Sequence, residues 1–239
     1  MIFGVLADVH GNFDAMTRAM RRHPDVPFWL CVGDLASRAG AYPEPPVPLY
    51  WIKGNNENFD AIEAFVSGVR DVPNLHYIPN GTAVDVDGLK VAGLGGTFAP
   101  TQYNTPAAEL SHGTPTRTRS SGGVVVRDDK RRHFVREEVE ALERLQDVDV
   151  LLTHEGAFPL RLVPEHGSSA RPVSVGKRPI SEVIAVLRPR LHLCGHHHRF
   201  AAVTTREGVP SICLDRVSRS YLLVDRATFE PQKIDQTDG

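Results

Sequence analysis

The sequence predicts an α/β fold in which two packed sheets are covered by helices on the outside. Three observations support this prediction. Residues 1–60 alternate short apolar runs with amphipathic segments, which is typical of βαβ units with parallel strands. Short strands then follow, separated by Asn80-Gly81 and Asp87-Gly88, both of which predict hairpin turns. The 239 residues are 41% hydrophobic, enough for a sizeable core, and no internal repeat or linker divides them.

The first half of the chain alternates predicted strands and helices. Residues 2–7 form an apolar run that stops at a charge, as a buried strand does. Asn12 is a candidate N-cap for a helix that reaches Arg22. A second helix is predicted at residues 58–69, and its inward face is expected to carry Ile62, Phe65, Val66 and Val69. Further strands are predicted at residues 28–32, 49–53, 76–78, 82–86 and 89–94.

The second half contains two segments without hydrophobic periodicity. Residues 100–123 and 155–178 are rich in Gly, Pro and small polar residues, which predicts two long loops. Helices are predicted at residues 137–146 and 180–187, and strands at residues 148–153, 190–194, 201–205, 211–214 and 221–224.

Composition excludes several classes of protein. The net charge of −2 argues against a globally basic nucleic-acid binder. The three cysteines, Cys31, Cys194 and Cys213, are odd in number and lack CxxC spacing, which argues against a disulfide framework or a structural zinc site. The N-terminus lacks a basic region, and Asp8 ends its apolar run, so a signal peptide is not expected. No apolar run reaches a membrane-spanning length. We therefore expect a cytoplasmic protein with no membrane partner.

Residues able to bind metal ions follow five of the predicted strands. In chain order they are Asp8 and His10, Asp34, Asn55 with Asn56 and Glu57, His154, and His196 to His198. Ligands bind at this end of an open α/β sheet. Carboxylate, imidazole and amide donors together suit Mn, Fe, Zn, Co or Ni better than Ca. Asp34 follows a flexible glycine and could bridge two ions, and such a pair assists displacement at phosphorus.

These residues form five blocks in a familiar order. They are Asp8-Val9-His10, Gly33-Asp34, Gly54-Asn55-Asn56-Glu57, His154 and Gly195-His196-His197-His198. Over residues 2 to about 200 the chain resembles the calcineurin-like metallophosphoesterase superfamily, whose blocks run DxH, GD, GNH[D/E], H and GHxH. The resemblance implies a four-layer α/β/β/α sandwich of two mixed sheets flanked by helices, here as one domain over residues 1–239.

The resemblance also implies a ligand set for two divalent ions, with Mn favoured. One ion would take Asp8, His10, Asp34 and His198, and the other would take Asp34, Asn55, His154 and His196. A hydroxide bridging the ions would attack phosphorus in line. His197 alternates away from its neighbours in an extended segment and is predicted not to be a ligand, while Glu57 is predicted to support the site.

The middle of the chain resembles a narrower group, the RNA lariat debranching enzymes. The resembling stretches are residues 73–78, residues 88–96 and Phe134-Val135-Arg136. Between them, residues 111–136 contain seven Lys or Arg, which either contact substrate phosphate or form a solvated face. Arg117 and Arg119 in this basic loop are candidate substrate contacts.

Asn56 departs from the family pattern, which has a histidine there that protonates the leaving group. Asn56 is still the candidate catalytic residue, but an amide donates hydrogen bonds without serving as a general acid near pH 7. General acid catalysis contributes about 10²–10⁴-fold. We therefore expect either substrates with acidic leaving groups or a proton borrowed from His112 or His166 in the long loops.

The sequence thus predicts a two-metal phosphodiesterase acting on phosphate esters of small nucleotides or nucleic-acid ends. Two alternatives stay open, a phosphomonoesterase of the same fold and a non-catalytic metal-binding interaction module. The oligomeric state, the natural substrate and the physiological metals stay open as well.

Overall fold

Two six-stranded sheets pack face to face, with helices on their outer faces. The computed structural model describes residues 1–117, 124–163 and 171–236. The α-helices of these residues are α1 (Phe13–Arg22), α2 (Phe59–Val66), α3 (Arg136–Glu143) and α4 (Arg178–Leu187). The strands are β1 (Ile2–Leu6), β2 (Trp29–Cys31), β3 (Leu49–Trp51), β4 (Leu75–Tyr77), β5 (Thr82–Val86), β6 (Leu89–Leu94), β7 (Thr97–Phe98), β8 (Thr114–Arg117), β9 (Val124–Arg127), β10 (His133–Phe134), β11 (Val150–Thr153), β12 (Leu160–Leu162), β13 (Val173–Val175), β14 (Leu191–Cys194), β15 (Ala201–Thr204), β16 (Pro210–Cys213), β17 (Ser220–Asp225) and β18 (Pro231–Asp235).

Both large sheets are mixed, as predicted. The first has the strand order β18-β17-β1-β2-β3-β4, and the second has the order β15-β16-β14-β11-β6-β5. Strands β1 to β4 are parallel, and so are β16, β14, β11 and β6. Antiparallel strands complete the edges of both sheets. The parallel strands within each sheet therefore deliver their carboxyl ends to one edge, where α/β proteins bind ligands.

Three buried clusters define the four layers. Along β2, Trp29 and Cys31 pack with residues of α1 and α2, while Leu30 packs with the second sheet. The other face of the second sheet, including Leu151, packs against α3 and α4. Side chains of a strand alternate between its two faces, so each sheet is apolar on both sides. This arrangement confirms the predicted α/β/β/α sandwich.

The two N-terminal helices begin where the sequence predicts. The side chain of Asn12 accepts a hydrogen bond from the Ala15 backbone N–H at 3.1 Å, which caps α1. Asn58 caps α2 in the same way. However, α2 ends at Val66, and the chain leaves the helix at Gly68, which has φ +72°. The prediction that Val66 and Val69 face inward is therefore wrong, because they are 59% and 84% exposed beyond the end of the buried face.

One of the two predicted hairpin turns is confirmed and the other is not. Asp87 and Gly88 both have positive φ and join the antiparallel strands β5 and β6, as a two-residue hairpin requires. Asn80-Gly81 instead carries the chain from β4 in the first sheet to β5 in the second. The Asn80 side chain accepts from the Gly95 backbone N–H and donates to the Gly95 carbonyl. A long-range contact therefore fixes this turn.

Short strands lie within both predicted long loops. Strand β8 in the first loop pairs with β9, which follows that loop, and β12 pairs with β13 within the second. The edge strand β18 was not predicted either, because its polar and mostly exposed residues lack an apolar alternation. Within the part of the chain that the structure describes, no helix combines the length and apolar character needed to cross a membrane.

Candidate metal centre

The predicted metal-binding residues lie together at the carboxyl ends of the parallel strands. They follow β1, β2 and β3 in the first sheet and β11 and β14 in the second. Contacts between the two sheets join them: the backbone N–H of His196 donates to Asp8 Oδ2 at 2.9 Å, and the rings of His154 and His196 are 5.0 Å apart. The site therefore forms where the two sheets meet.

Four of these residues form a first group whose ligand atoms all lie within 4.8 Å of one another: Asp8, His10, Asp34 and His198. The Nε2 atoms of His10 and His198 are 3.1 Å apart, and His198 Nε2 is 3.4 Å from Asp8 Oδ1. Asp34 Oδ2 lies 3.6 Å from His10 Nε2. Two imidazoles and two carboxylates thus point at one small volume.

A second group lies on the other side of Asp34. The Oδ1 atom of Asp34 is 3.6 Å from Nε2 of His154, and that nitrogen is 3.0 Å from Oδ1 of Asn55. The other ring nitrogen of His154 donates to the Val32 carbonyl at 2.8 Å. Because a carbonyl only accepts, this bond leaves the Nε2 lone pair of a neutral His154 facing Asn55 and Asp34.

The backbone at the site adopts a conformation that side chains rarely permit. Five of the predicted metal-binding residues have φ between +47° and +68°: Asp8, His10, Asp34, His196 and His198. Such residues cost about 1–3 kcal/mol each and concentrate at functional sites. Gly54 is also required here, since a Cβ on it would lie 2.0 Å from Asp34 Oδ1.

Glu57 stabilises the loops that form the site, as predicted. Its carboxylate accepts hydrogen bonds from the backbone N–H groups of Leu35, Ala36 and Gly54. It also accepts from the Tyr42 hydroxyl at 3.0 Å. Burial and the nearby Asp34 carboxylate raise the pKa of Glu57 to about 7, against the effect of the backbone bonds. This residue joins the loops that carry Asp34 and Asn55.

The electrostatics of the site match cation binding. Burial would raise the pKa of Asp34, but His154 and two hydrogen bonds from Asn56 lower it overall. Burial lowers the pKa of His10, and burial with the neighbouring His154 lowers that of His196 to about 4. An ionised carboxylate and neutral imidazoles are the forms that bind metal ions. Burial opposes protonation of His154, yet Asp34 and Asp8 raise its pKa, as a strongly negative site would.

The carboxylate of Asp8 indicates whether a divalent ion fits the first group. Asp8 is only 1% exposed, and its Oδ1 atom has no hydrogen-bond partner among the residues that the structure describes. A buried carboxylate oxygen without a partner is costly unless a cation neutralises it. Its neighbours are the Nε2 atoms of His10 and His198, which are ligands of the same class as those that bind transition metals. The residues of the first group therefore fit a metal ion.

Comparison with known proteins identifies the family. The model of the calcineurin-like phosphoesterase family matches residues 1–200. The chain belongs to this family.

Among curated proteins, the chain is similar to lariat debranching enzymes, which agrees with the likeness of its middle region. It is 23% identical over 212 residues to that of Schizosaccharomyces pombe, covering 82% of this chain and 43% of the relative. It is 25% identical over 171 residues to that of Drosophila melanogaster, covering 66% of this chain and 30% of the relative. The chain thus spans less than half the length of these relatives.

Two solved structures share the fold. A dimetal phosphatase from Danio rerio has a TM-score of 0.56 at 12% identity, with 99% of both chains covered. An archaeal phosphodiesterase has a TM-score of 0.50 at 11% identity, covering 98% of this chain and 99% of its own. At these identities the likeness establishes the fold alone.

Asn56 lies against a carboxylate of the candidate metal centre. Its backbone N–H donates to Asp34 Oδ1 at 2.7 Å, and its side-chain amide donates to Asp34 Oδ2 at 2.8 Å. It also lines a cavity of about 890 Å³ that opens beside His10 and Asn55. In this structure, then, Asn56 orients Asp34 and faces the cavity.

Of the residues predicted to contact substrate, the one whose side chain the structure describes, His112, does not lie at the metal centre. His112 is exposed, does not line the cavity, and lies 3.9 Å from Glu63 Oε1. The side chain of Arg117 and all of Arg119 and His166 lie outside the described residues, so their roles stay predictions.

Arg216 adjoins the site and was missed by the sequence motifs. Its Nη2 atom is 2.7 Å from Nδ1 of His198. It follows β16, whose carboxyl end is at the same edge as those of β11 and β14. Extending the strand-end search to this sixth strand would have found it.

Proposed function

We propose that this protein is a phosphodiesterase that uses two metal ions. The observation that supports two ions is the placement of Asp34 between the groups. Its Oδ2 atom faces His10 and its Oδ1 atom faces His154, each at 3.6 Å. One carboxylate with an oxygen toward each side is suited to bridging two cations.

Each group supplies a mixed donor set for one ion. The first ion would bind Asp8, His10, Asp34 and His198, and the second would bind Asp34, Asn55, His154 and His196. Imidazole, carboxylate and amide donors favour a transition metal, and we propose Mn²⁺. Two such ions would supply Lewis-acid stabilisation of phosphoryl charge and would activate a water molecule for in-line displacement.

The side chains around the ligands keep them oriented. The Val32 carbonyl holds the His154 ring with its Nε2 lone pair toward Asn55 and Asp34. Asn56 binds both oxygens of Asp34, and Glu57 fixes the loops that carry Asp34 and Asn55. Arg216 places a positive charge beside the first group, where phosphoryl oxygens would lie.

A diester preference is supported by the debranching enzymes among the relatives. Among the described residues that line the cavity, the one histidine is His10, which belongs to the ligand set. Asn56 cannot protonate a leaving group. The debranching enzymes among the relatives support nucleotide or nucleic-acid diesters as the substrates.

The test is Mn²⁺-dependent hydrolysis of bis-p-nitrophenyl phosphate, compared with p-nitrophenyl phosphate. Nitrophenolate leaves without protonation, so turnover does not depend on an acid at position 56. We expect a higher kcat/KM for the diester and two ions per chain by elemental analysis. Asp34→Asn is expected to lower kcat/KM by at least about 100-fold and to reduce the metal content, because it weakens both sites.

Asp25→Asn is the matched control, because it makes the same chemical change at an exposed aspartate that precedes β2 in the chain. Faster turnover of the monoester would favour a phosphomonoesterase. A protein that holds its metal but hydrolyses neither compound would favour a binding module.

A further inference from the structure

The cavity beside the candidate metal centre is larger than one phosphoryl group needs. Its volume of about 890 Å³ lies in the range of pockets that enclose whole small molecules, roughly 300–1,000 Å³. From His10 and Asn56 it extends along the loop after β2, which carries Arg38, and along residues 128–132. The rest of a substrate would therefore contact these two segments.

The backbone of Arg132 is held in a fixed position relative to the metal centre. Lys53 is buried, and its ammonium group donates to the carbonyls of Arg131 at 2.8 Å and His133 at 3.2 Å. On the other side, Gly96 allows close contact, since a Cβ there would lie 2.4 Å from the Arg132 carbonyl. Lys53 directly precedes the Gly54-Asn55 turn, so the strand that places Asn55 also places Arg132.

The charges on these segments are not equally available. The guanidinium of Arg131 is paired at 2.7 Å with each of Asp60, Glu63 and Asp129. Arg132 uses only its Nε atom, which donates to the Asp129 carbonyl at 2.9 Å. Its two terminal nitrogens have no partner among the described residues.

Arg38 is the second available cation on the cavity wall. Its side chain is exposed and makes no hydrogen bond or ion pair with the described residues. Asp128 is an exposed carboxylate on the same wall, and Arg131 is shared by three carboxylates, so the wall as a whole is not positively charged. Arg38 and Arg132 are the two guanidinium groups on this wall that no carboxylate of the described residues pairs.

We propose that Arg132 and Arg38 bind a second phosphate group of the substrate, next to the phosphodiester that is hydrolysed. This inference rests on the proposed function and adds a specificity determinant to it. Guanidinium groups bind phosphate oxygens through paired, charge-assisted hydrogen bonds, and a pre-positioned arginine loses less entropy in doing so. The favoured substrates are therefore diesters of nucleotides that carry a further phosphate.

The test uses substrates that differ by one phosphate. Thymidine 5′-(p-nitrophenyl phosphate) is compared with its 3′-phosphorylated form, and the 3′-(p-nitrophenyl phosphate) with its 5′-phosphorylated form. We expect the added phosphate to raise kcat/KM of the Mn²⁺-loaded protein at least 10-fold in one of these pairs. In Arg132→Gln this factor should fall at least 5-fold, and in the double variant with Arg38→Gln it should approach one.

Lys130→Ala is the matched control, because it removes a cation from the same short 3₁₀-helix, Lys130–Arg132, at a position that does not line the cavity. It should keep the wild-type factor. The proposal would be overturned if the added phosphate raised kcat/KM in neither pair. It would also be overturned if Lys130→Ala and Arg132→Gln reduced the factor equally.

A binding measurement separates this proposal from the proposed function. By calorimetry, thymidine 3′,5′-bisphosphate should bind the Mn²⁺-loaded protein at least 10-fold more tightly than the better of the two monophosphates. That difference should shrink in Arg132→Gln. If no ester is hydrolysed, the phosphodiesterase proposal fails, while the affinity difference still decides whether the second-phosphate site exists.

Discussion

Single residues decide the chemistry that this site can perform, and Asn56 is the clearest case. In place of the family's histidine, an amide donates two hydrogen bonds to Asp34. An amide keeps its protons at all physiological pH values, so it orients the carboxylate without supplying a proton to a leaving group. We therefore expect the site to favour leaving groups that depart unprotonated.

His192 is a buried histidine with a structural role. It lies between Thr153 Oγ1 at 2.8 Å and Ser211 Oγ at 2.7 Å. Burial lowers its pKa to about 3, well below its ordinary value of 6.5. The folded protein therefore keeps His192 neutral at pH values where the unfolded chain binds a proton.

This difference predicts a pH-dependent stability. Because the unfolded state takes up the proton first, stability from His192 is complete above about pH 6.5 and is lost as the pH falls toward 3. The loss is up to about 1.4 kcal/mol per pH unit. In urea unfolding with chelator between pH 7 and 4.5, His192→Gln should show a shallower decline than the wild type. The exposed His76→Gln is the control, and parallel curves for wild type and His192→Gln would contradict the assignment.

Among the secondary-structure elements, the parallel strands position the candidate metal-binding residues, which lie in strained turns directly after the strands. Candidate metal ligands after β1, β2 and β14 have positive φ values, which only tight tertiary packing maintains. The strands that support them are packed closely. In β1, a Cβ on Gly4 would lie 2.2 Å from the ring of Trp29 in β2.

We therefore expect Gly4→Ala to be more destabilising than an alanine at a strained but open position. Gly4→Ala forces the buried Trp29 or the β1–β2 pair to shift, at a cost of about 3 kcal/mol or more. Gly68→Ala meets no atom within 4 Å but must adopt φ +72°, at about 1 kcal/mol. Chemical denaturation of both variants measures the difference. A larger loss from Gly68→Ala would show that conformation, not space, limits these positions.

At the scale of the whole molecule, a few polar side chains join segments that are far apart in the chain. Lys53 at the end of β3 binds carbonyls on both sides of Arg132. Asn80 binds Gly95 and Glu138 where the chain passes from the first sheet to the second. These contacts set the position of the cavity wall relative to the ligand-bearing strands.

Lys53→Met tests this connection. It leaves two carbonyls without their donor, so the free energy of unfolding should fall by about 2–5 kcal/mol. Hydrogen exchange at residues 129–134 should accelerate as well. Lys90→Met is the control, because Lys90 also donates to a carbonyl, that of Gln146, but at an exposed position. Equal effects of the two substitutions would mean that the buried contact adds nothing.

Much of the site was predictable because its information is local. Asp8, His10, Asp34, Asn55, His154, His196 and His198 each follow a recognisable apolar strand. Parallel pairing brings the ends of such strands together. The N-caps Asn12 and Asn58 and the Asp87-Gly88 hairpin are similarly local, since each depends on residues within one turn.

The fold class, the family and the order of the candidate ligands along the strands follow from the amino-acid sequence alone. Three features became evident from the packed sheets: Asn80-Gly81 crosses between the sheets, Val66 and Val69 lie outside the core, and Arg216 and Arg132 adjoin the site. The reason is physical. Hydrophobic periodicity and turn propensity report on neighbours in the chain, whereas these features depend on contacts between segments that only the packed sheets bring together.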